Sequence, residues 1–169
     1  MLIENFPRKV TGMNRRTELM RSVKSARKLF VVDIENAVGI GKIDEASCLK
    51  VKNRIEQTYN PQPYDLTVIG VSHKGNIFPA SAWAGARLVI KEGHNGADLA
   101  LENVLANENV ENRFGEVVIV SGDGLFAAQA ARLRSLDVKV TVDARARQLA
   151  RILAFSCSTV TLAPNKLAA

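Results

Sequence analysis

The residues of this chain best placed to do chemistry are carboxylates at the ends of apolar runs. Asp33 closes Leu29-Phe30-Val31-Val32-Asp33, and Asp123 follows Val118-Ile119-Val120-Ser121-Gly122. Asp98 stands at the head of a helical stretch in Asn95-Gly96-Ala97-Asp98-Leu99, with Glu102 at i+4 on the same helix face. Two carboxylates ~4 Å apart repel by about 4 kcal/mol at an effective dielectric of ~20, so such a cluster either holds protons or takes a cation. Hard oxygen donors suit Mg²⁺ or Mn²⁺, which often bind through one or two carboxylates and several waters. A cation in that position activates water and neutralises charge on a phosphoryl group. Each acid also has a plain structural reading. Asp98 and Asp123 would serve as helix caps, and Asp33 as a strand-end acceptor of backbone amides. Three acids in step with three strand ends weigh toward a site.

The elements that must position these acids follow from the apolar pattern. Runs at Leu29–Ile34, Leu66–Val71, Arg87–Ile90, Glu116–Val120 and Val138–Val142, with a weaker one at Thr159–Leu162, lack polar alternation. Strands covered on both faces read this way, and they predict a parallel sheet built from βαβ units. Helices are predicted at Ile43–Thr58, Phe78–Ala84, Ala97–Asn107, Leu125–Ser135 and Ala146–Phe155. Asn60-Pro61-Gln62-Pro63 breaks the chain between the first of these helices and the second strand. Met13–Lys28 is expected to form a basic helix with Leu19, Met20 and Val23 facing the body. In open α/β sheets, sites form beyond the carboxyl ends of the strands, where strand order reverses. The acids fall there.

Charge divides the chain in two. Residues 1–28 carry eight basic and two acidic side chains, the whole net charge of +6, while residues 29–169 are balanced at 15 of each sign. The organisation expected is a basic N-terminal extension, 1–28, on one domain, 29–169. Such an arm, with Arg15, Arg16 and Arg21 in its helical part, suits a polyanion through counterion release; a solvated extension without a partner is the bland alternative. No apolar run reaches the ~18–20 residues of a membrane span. Met1–Val10 mixes charge, a Pro and apolar residues, unlike a secretory leader. Cys48 and Cys157 lie far apart without metal-ligand spacing, which fits two buried thiols in a reducing cytoplasm.

With these residues in view, the chain resembles the NYN domain family, a branch of the PIN-like metal-dependent nucleases. The resemblance covers about residues 29–162. It rests on Val32-Asp33-Ile34-Glu35-Asn36, on Gly96-Ala97-Asp98-Leu99-Ala100-Leu101 and on Val120-Ser121-Gly122-Asp123-Gly124-Leu125-Phe126, followed by the helix and strand of Leu133–Val142. It implies a three-layer α/β/α sandwich with a central, mostly parallel sheet of order 3-2-1-4-5, which would make the first and fourth strands neighbours. It implies that Asp33, Asp98 and Asp123 hold Mg²⁺ or Mn²⁺, with Asn36 and Ser121 as supporting polar groups. The implied activity is endoribonucleolytic cleavage by a metal-activated water. The chain departs from the family at Leu125, where many relatives have a second Asp. It departs again at Glu102, Asn103 and Val104, where many have another acid on the helix. These departures motivate a second expectation, a catalytically weak or inactive module that binds RNA or a protein. A flavodoxin-like nucleotide-binding domain shares the layered pattern and is a third.

Arg145, Arg147 and Arg151 follow the fifth strand and are expected at the acidic edge, placed for phosphate contact. Asp143, after the same run, reads as a helix cap, or less readily as a further ligand. Gly39-Ile40-Gly41-Lys42 lacks the spacing and the Ser/Thr of a phosphate loop. His73 and His94 read as loop histidines, and Trp83 as a packed residue rather than a base-stacking platform. A homodimer is compatible with the sequence, which carries no feature demonstrating one.

Overall fold

The computed structural model describes residues 15–39 and 42–163. Expectations for residues 1–14, and for the side chains of Arg15 and Arg16, lie outside the described residues. Twelve residues, Arg15–Ala26, form helix α1 ahead of strand β1, Lys28–Asp33. Then come α2 (Ile34–Val38), α3 (Glu45–Tyr59), β2 (Leu66–Val71), α4 (Ile77–Ser81) and β3 (Arg87–Ile90). The second half adds α5 (Gly96–Asn107), α6 (Val110–Arg113), β4 (Glu116–Val120), α7 (Ala127–Ser135), β5 (Lys139–Arg145), α8 (Arg151–Ser156) and β6 (Thr159–Ala163).

All six strands pair in parallel, in the order β3-β2-β1-β4-β5-β6. The expected order holds, and the weak sixth run extends it by one edge strand beside β5. Alternation along the strands sorts the core into two. Phe30, Val32, Ile69, Val118 and Val120 meet α2, α3 and α4 through Ile34, Cys48, Val51, Ile55 and Ala80, with Trp83 beside them. Leu29, Val31, Val117, Ile119, Val140 and Val142 meet α5, α6, α7 and α8 through Leu101, Leu105, Val110, Leu133 and Leu153. The result is the three-layer sandwich, with each fully buried Leu, Ile or Phe worth about 1.5–3 kcal/mol. The two free cysteines belong to opposite cores, so the sheet stands between them; burial pushes both thiols up to about 11. Among the described residues no helix is long and apolar enough to cross a membrane.

Several boundaries differ from the sequence reading. Helix α8 begins at Arg151 rather than at Ala146, because β5 runs on to Arg145 to pair with β6 and a turn follows, with Gln148 N–H and Leu149 N–H bonded to Arg145 O. The second predicted helix shrinks to α4, and Trp83 follows it as a buried core residue. The apolar stripe of α1 is a correction: Leu19, Met20 and Val23 are 65%, 64% and 52% exposed, not turned to the body. The end of α1 is seated where Gly115 leaves no room for a side chain against the Ser25 backbone. Just beyond, the Arg27 guanidinium lies 4.8 Å from the Phe114 ring centre and donates to Tyr64 O. Lys28 is the first residue of β1. The last turn of α1 sits at the amino ends of β1 and β4, the opposite end of the sheet from Asp33.

Candidate acidic site at the switch point

Strand order reverses between β1 and β4, and the acids gather at the carboxyl ends of these strands. Asp33, the last residue of β1, is buried; one oxygen caps α2 by accepting from Asn36 N–H at 3.2 Å. Its other oxygen accepts from Ser121 Oγ–H at 3.2 Å, across the β1–β4 boundary. Ser121 Oγ accepts in turn from Asp123 N–H at 3.2 Å, and Asn36 Oδ1 accepts from Gly122 N–H at 3.1 Å. The two loops after β1 and β4 are thereby tied through Ser121 and Asn36. Gly122 is required here, since a Cβ would fall 2.3 Å from the Gln148 carbonyl oxygen.

Asp98 reaches the site from α5. Asp33 stands opposite Gly70 in the β1–β2 register, and α5 lies over Gly70 so closely that a Cβ there would be 2.8 Å from Ala97 O and 2.7 Å from Leu101. That close approach delivers Asp98 to Asp33. Asp98 is 7% exposed, and its Oδ1 is the buried side-chain oxygen or nitrogen without a hydrogen-bond partner among the described residues. Burial, reinforced by the neighbouring Asp33 carboxylate and by Asp123 and Glu35, pushes Asp98 up to about 8. Burial also raises Asp33, against hydrogen bonds from Asn36, Asp98 and Ser121. The neighbouring carboxyls act on each other in opposite senses, Asp33 raising Asp98 and Asp98 lowering Asp33, so the neutral form is favoured at Asp98. Asp123 is half-buried and caps the turn that follows it, accepting from Leu125 N–H at 2.9 Å.

Asp33 and Asp123 therefore fill their plain structural roles as caps, whereas Asp98 caps nothing, since α5 starts after Asn95 with no side-chain cap; the three still face one another electrostatically. Among the described residues, however, no three Asp, Glu, His or Cys side chains form a ready-made cage for one ion. The donor set fits an ion of the Mg²⁺ type, held by one or two carboxylates with water completing its shell. The unpartnered Asp98 oxygen beside buried Asp33 is the point of fit.

Other expected site residues lie elsewhere. Glu102 lines a groove between β3 and α5 with Arg87, Lys91 and Asn103, a groove that includes none of the three aspartates. Arg145 is not poised for phosphate: its guanidinium donates to Ala37 O at 2.8 Å and to Val38 O, filling the space a side chain at Gly39 would need. Arg147 and Arg151 are exposed at the acidic edge, close to the loop joined by Ala150 N–H and Gly122 O. Arg21 lies on the exposed helix α1. Asp143 is neither ligand nor cap. It is buried on β5, held by Arg54 Nη1 at 2.7 Å from both oxygens and by Tyr59 Oη–H at 3.0 Å. His73 and His94 are exposed loop residues, His73 accepting from Gly75 N–H. Missed by sequence reasoning was Glu35, two residues after Asp33, which binds Ser72 and Asn76 and adds its charge to both buried aspartates. Its place inside the Asp33–Asn36 stretch was the available signal.

The fold defines a parallel, doubly wound α/β domain with a carboxylate pair at its switch point. No protein-family model matches the chain, and no curated protein matches it by sequence. A solved structure similar in fold is that of a protein of unknown function from Vibrio parahaemolyticus, with TM-score 0.55 and 14% identity over 84% of this chain and 95% of that one.

Proposed function

We propose that the chain is a metal-dependent, endoribonuclease-like domain of the NYN type, with Asp33, Asp98 and Asp123 as its reaction centre. The observation that carries this reading is Asp98, a buried carboxylate whose Oδ1 has no partner, set beside buried Asp33 at the switch point. Burying two neighbouring carboxylates is unfavourable without a proton or a cation, and such perturbed groups collect at functional sites. Asp33 and Asp98 would hold the ion, with Asp123 at its margin. A bound Mg²⁺ or Mn²⁺ would supply Lewis acidity toward the phosphoryl oxygens and activate water. Ser121 and Asn36 fix the acids, and Arg147 and Arg151 are placed to hold the phosphates of an RNA strand. The test is cleavage of labelled single-stranded RNA with Mg²⁺ or Mn²⁺ by the parent and by Asp98→Asn. Cleavage that falls to background in a folded variant supports the reading. Equal cleavage by both proteins sinks it.

A second reading, an inactive RNA- or protein-binding module, is favoured by the missing preset cage and by Leu125, 38% exposed beside Asp123. Under that reading Asp98→Asn binds RNA as the parent does, and metal changes nothing.

A further inference from the structure

We propose that Glu35 is the positioning residue that sets Asp98 against Asp33, a role that rests on reading this edge as the reaction centre. Glu35 stands in the first turn after β1, half-buried, and both of its oxygens are engaged. Oε1 accepts from Ser72 N–H at 2.9 Å and from Asn76 Nδ2–H at 2.9 Å, while Oε2 accepts from Ser72 Oγ–H. It therefore clamps the loop after β2 rather than offering a free oxygen to the site.

Ser72 passes the constraint on. Its carbonyl oxygen accepts from Gly93 N–H at 3.3 Å, and Gly93 O accepts from Gly96 N–H at 3.0 Å. Gly96, the first residue of α5, rests against the same loops: a Cβ on it would meet Lys91 O at 1.8 Å and Ser72 Cβ at 3.3 Å. The loops after β1, β2 and β3 are thus tied in series, and the start of α5 is seated at the far end. Asp98 follows two residues later. A displacement of about 1 Å at the head of α5 would separate the two carboxyls, an error large enough to disable a binding or catalytic constellation. Burial alone would raise Glu35, but its hydrogen bonds to Ser72 and Asn76 hold it below the usual carboxylate range.

The experiment compares the parent, Glu35→Ala and Glu35→Gln in two measurements on the full chain, with circular dichroism as the check on folding. The first is amide hydrogen exchange at Gly93, Gly96 and Leu99 without metal, which reads the clamp whether or not an ion ever binds. Exchange should quicken by about tenfold or more in Glu35→Ala and stay within about threefold of the parent in Glu35→Gln, which can still accept from Ser72. The second is Mn²⁺ binding by calorimetry, where Glu35→Ala should weaken affinity by about tenfold and Glu35→Gln should largely restore it. Unchanged exchange in Glu35→Ala overturns the proposal. So does faster exchange with unaltered Mn²⁺ affinity, or a Gln variant that loses as much as the Ala variant. A parent that binds no Mn²⁺ refutes the metal reading of the edge, and the exchange data still decide the clamp.

Discussion

Asp33 faces Gly70 across the β1–β2 ladder, and the side chain that Gly70 lacks is the space through which α5 brings Asp98 over the strand end. Gly70→Ala tests this directly. The new methyl would lie 2.8 Å from the Ala97 carbonyl, a backbone atom of a packed helix, so α5 has to move. Overpacking of this kind costs about 1–3 kcal/mol, measurable by urea denaturation, and Mn²⁺ binding should weaken with it. Parent-like stability would mean that the helix is not held to the sheet here.

Burial of the two neighbouring carboxyls makes the pair pH-dependent. Asp98 has its pKa raised from 3.8 to about 8, chiefly by burial. Folding therefore favours its neutral form: the stability it contributes is complete below pH ~4 and is lost as pH rises toward about 8. Melting temperatures of the metal-free protein should fall over that window, and Asp98→Asn should flatten the profile and be the more stable at pH 8. Metal binding must displace the proton, so Mn²⁺ affinity should rise with pH up to about 8. An affinity independent of pH in that range would place the ion elsewhere.

Asp143 is the contrasting acid. It is fully buried and paired to Arg54, whose side chain is 16% exposed. Arg54→Leu strands the charge and should cost about 3–5 kcal/mol, whereas Arg54→Leu with Asp143→Leu should recover most of the loss. Mn²⁺ affinity should be unaffected in the double variant, which separates this structural pair from the site. A double variant as unstable as the single one would contradict the account.

RNA contact at the acidic edge should come from Arg147 and Arg151. Arg147→Glu with Arg151→Glu should weaken RNA binding by about tenfold or more and lower its salt dependence. Retained binding would shift the RNA path away from this edge, toward α1 at the opposite end of the sheet.

These tests also mark what was legible in the sequence. Val- and Ile-rich runs such as Leu66–Val71 read as strands because burial on both faces removes polar alternation, and their order followed from the family resemblance. Asp33, Asp98 and Asp123 stood out because they close or follow those runs. Arg145 was misread because nothing in its neighbours reveals that Ala37 and Val38, over a hundred residues earlier, present bare carbonyls to it. Glu35 was passed over for the same reason, its partners Ser72 and Asn76 lying on another loop. The exposure of Leu19, Met20 and Val23 was hidden because an apolar stripe on a helix says that it can be buried, not that anything covers it.

The measurement that bears most directly on the central claim is Mn²⁺ binding by calorimetry at pH 8 to the parent, Asp33→Asn and Asp98→Asn. A single saturable site is expected in the parent and should be lost in both folded variants. No binding to the parent, or equal binding to all three proteins, would contradict that claim.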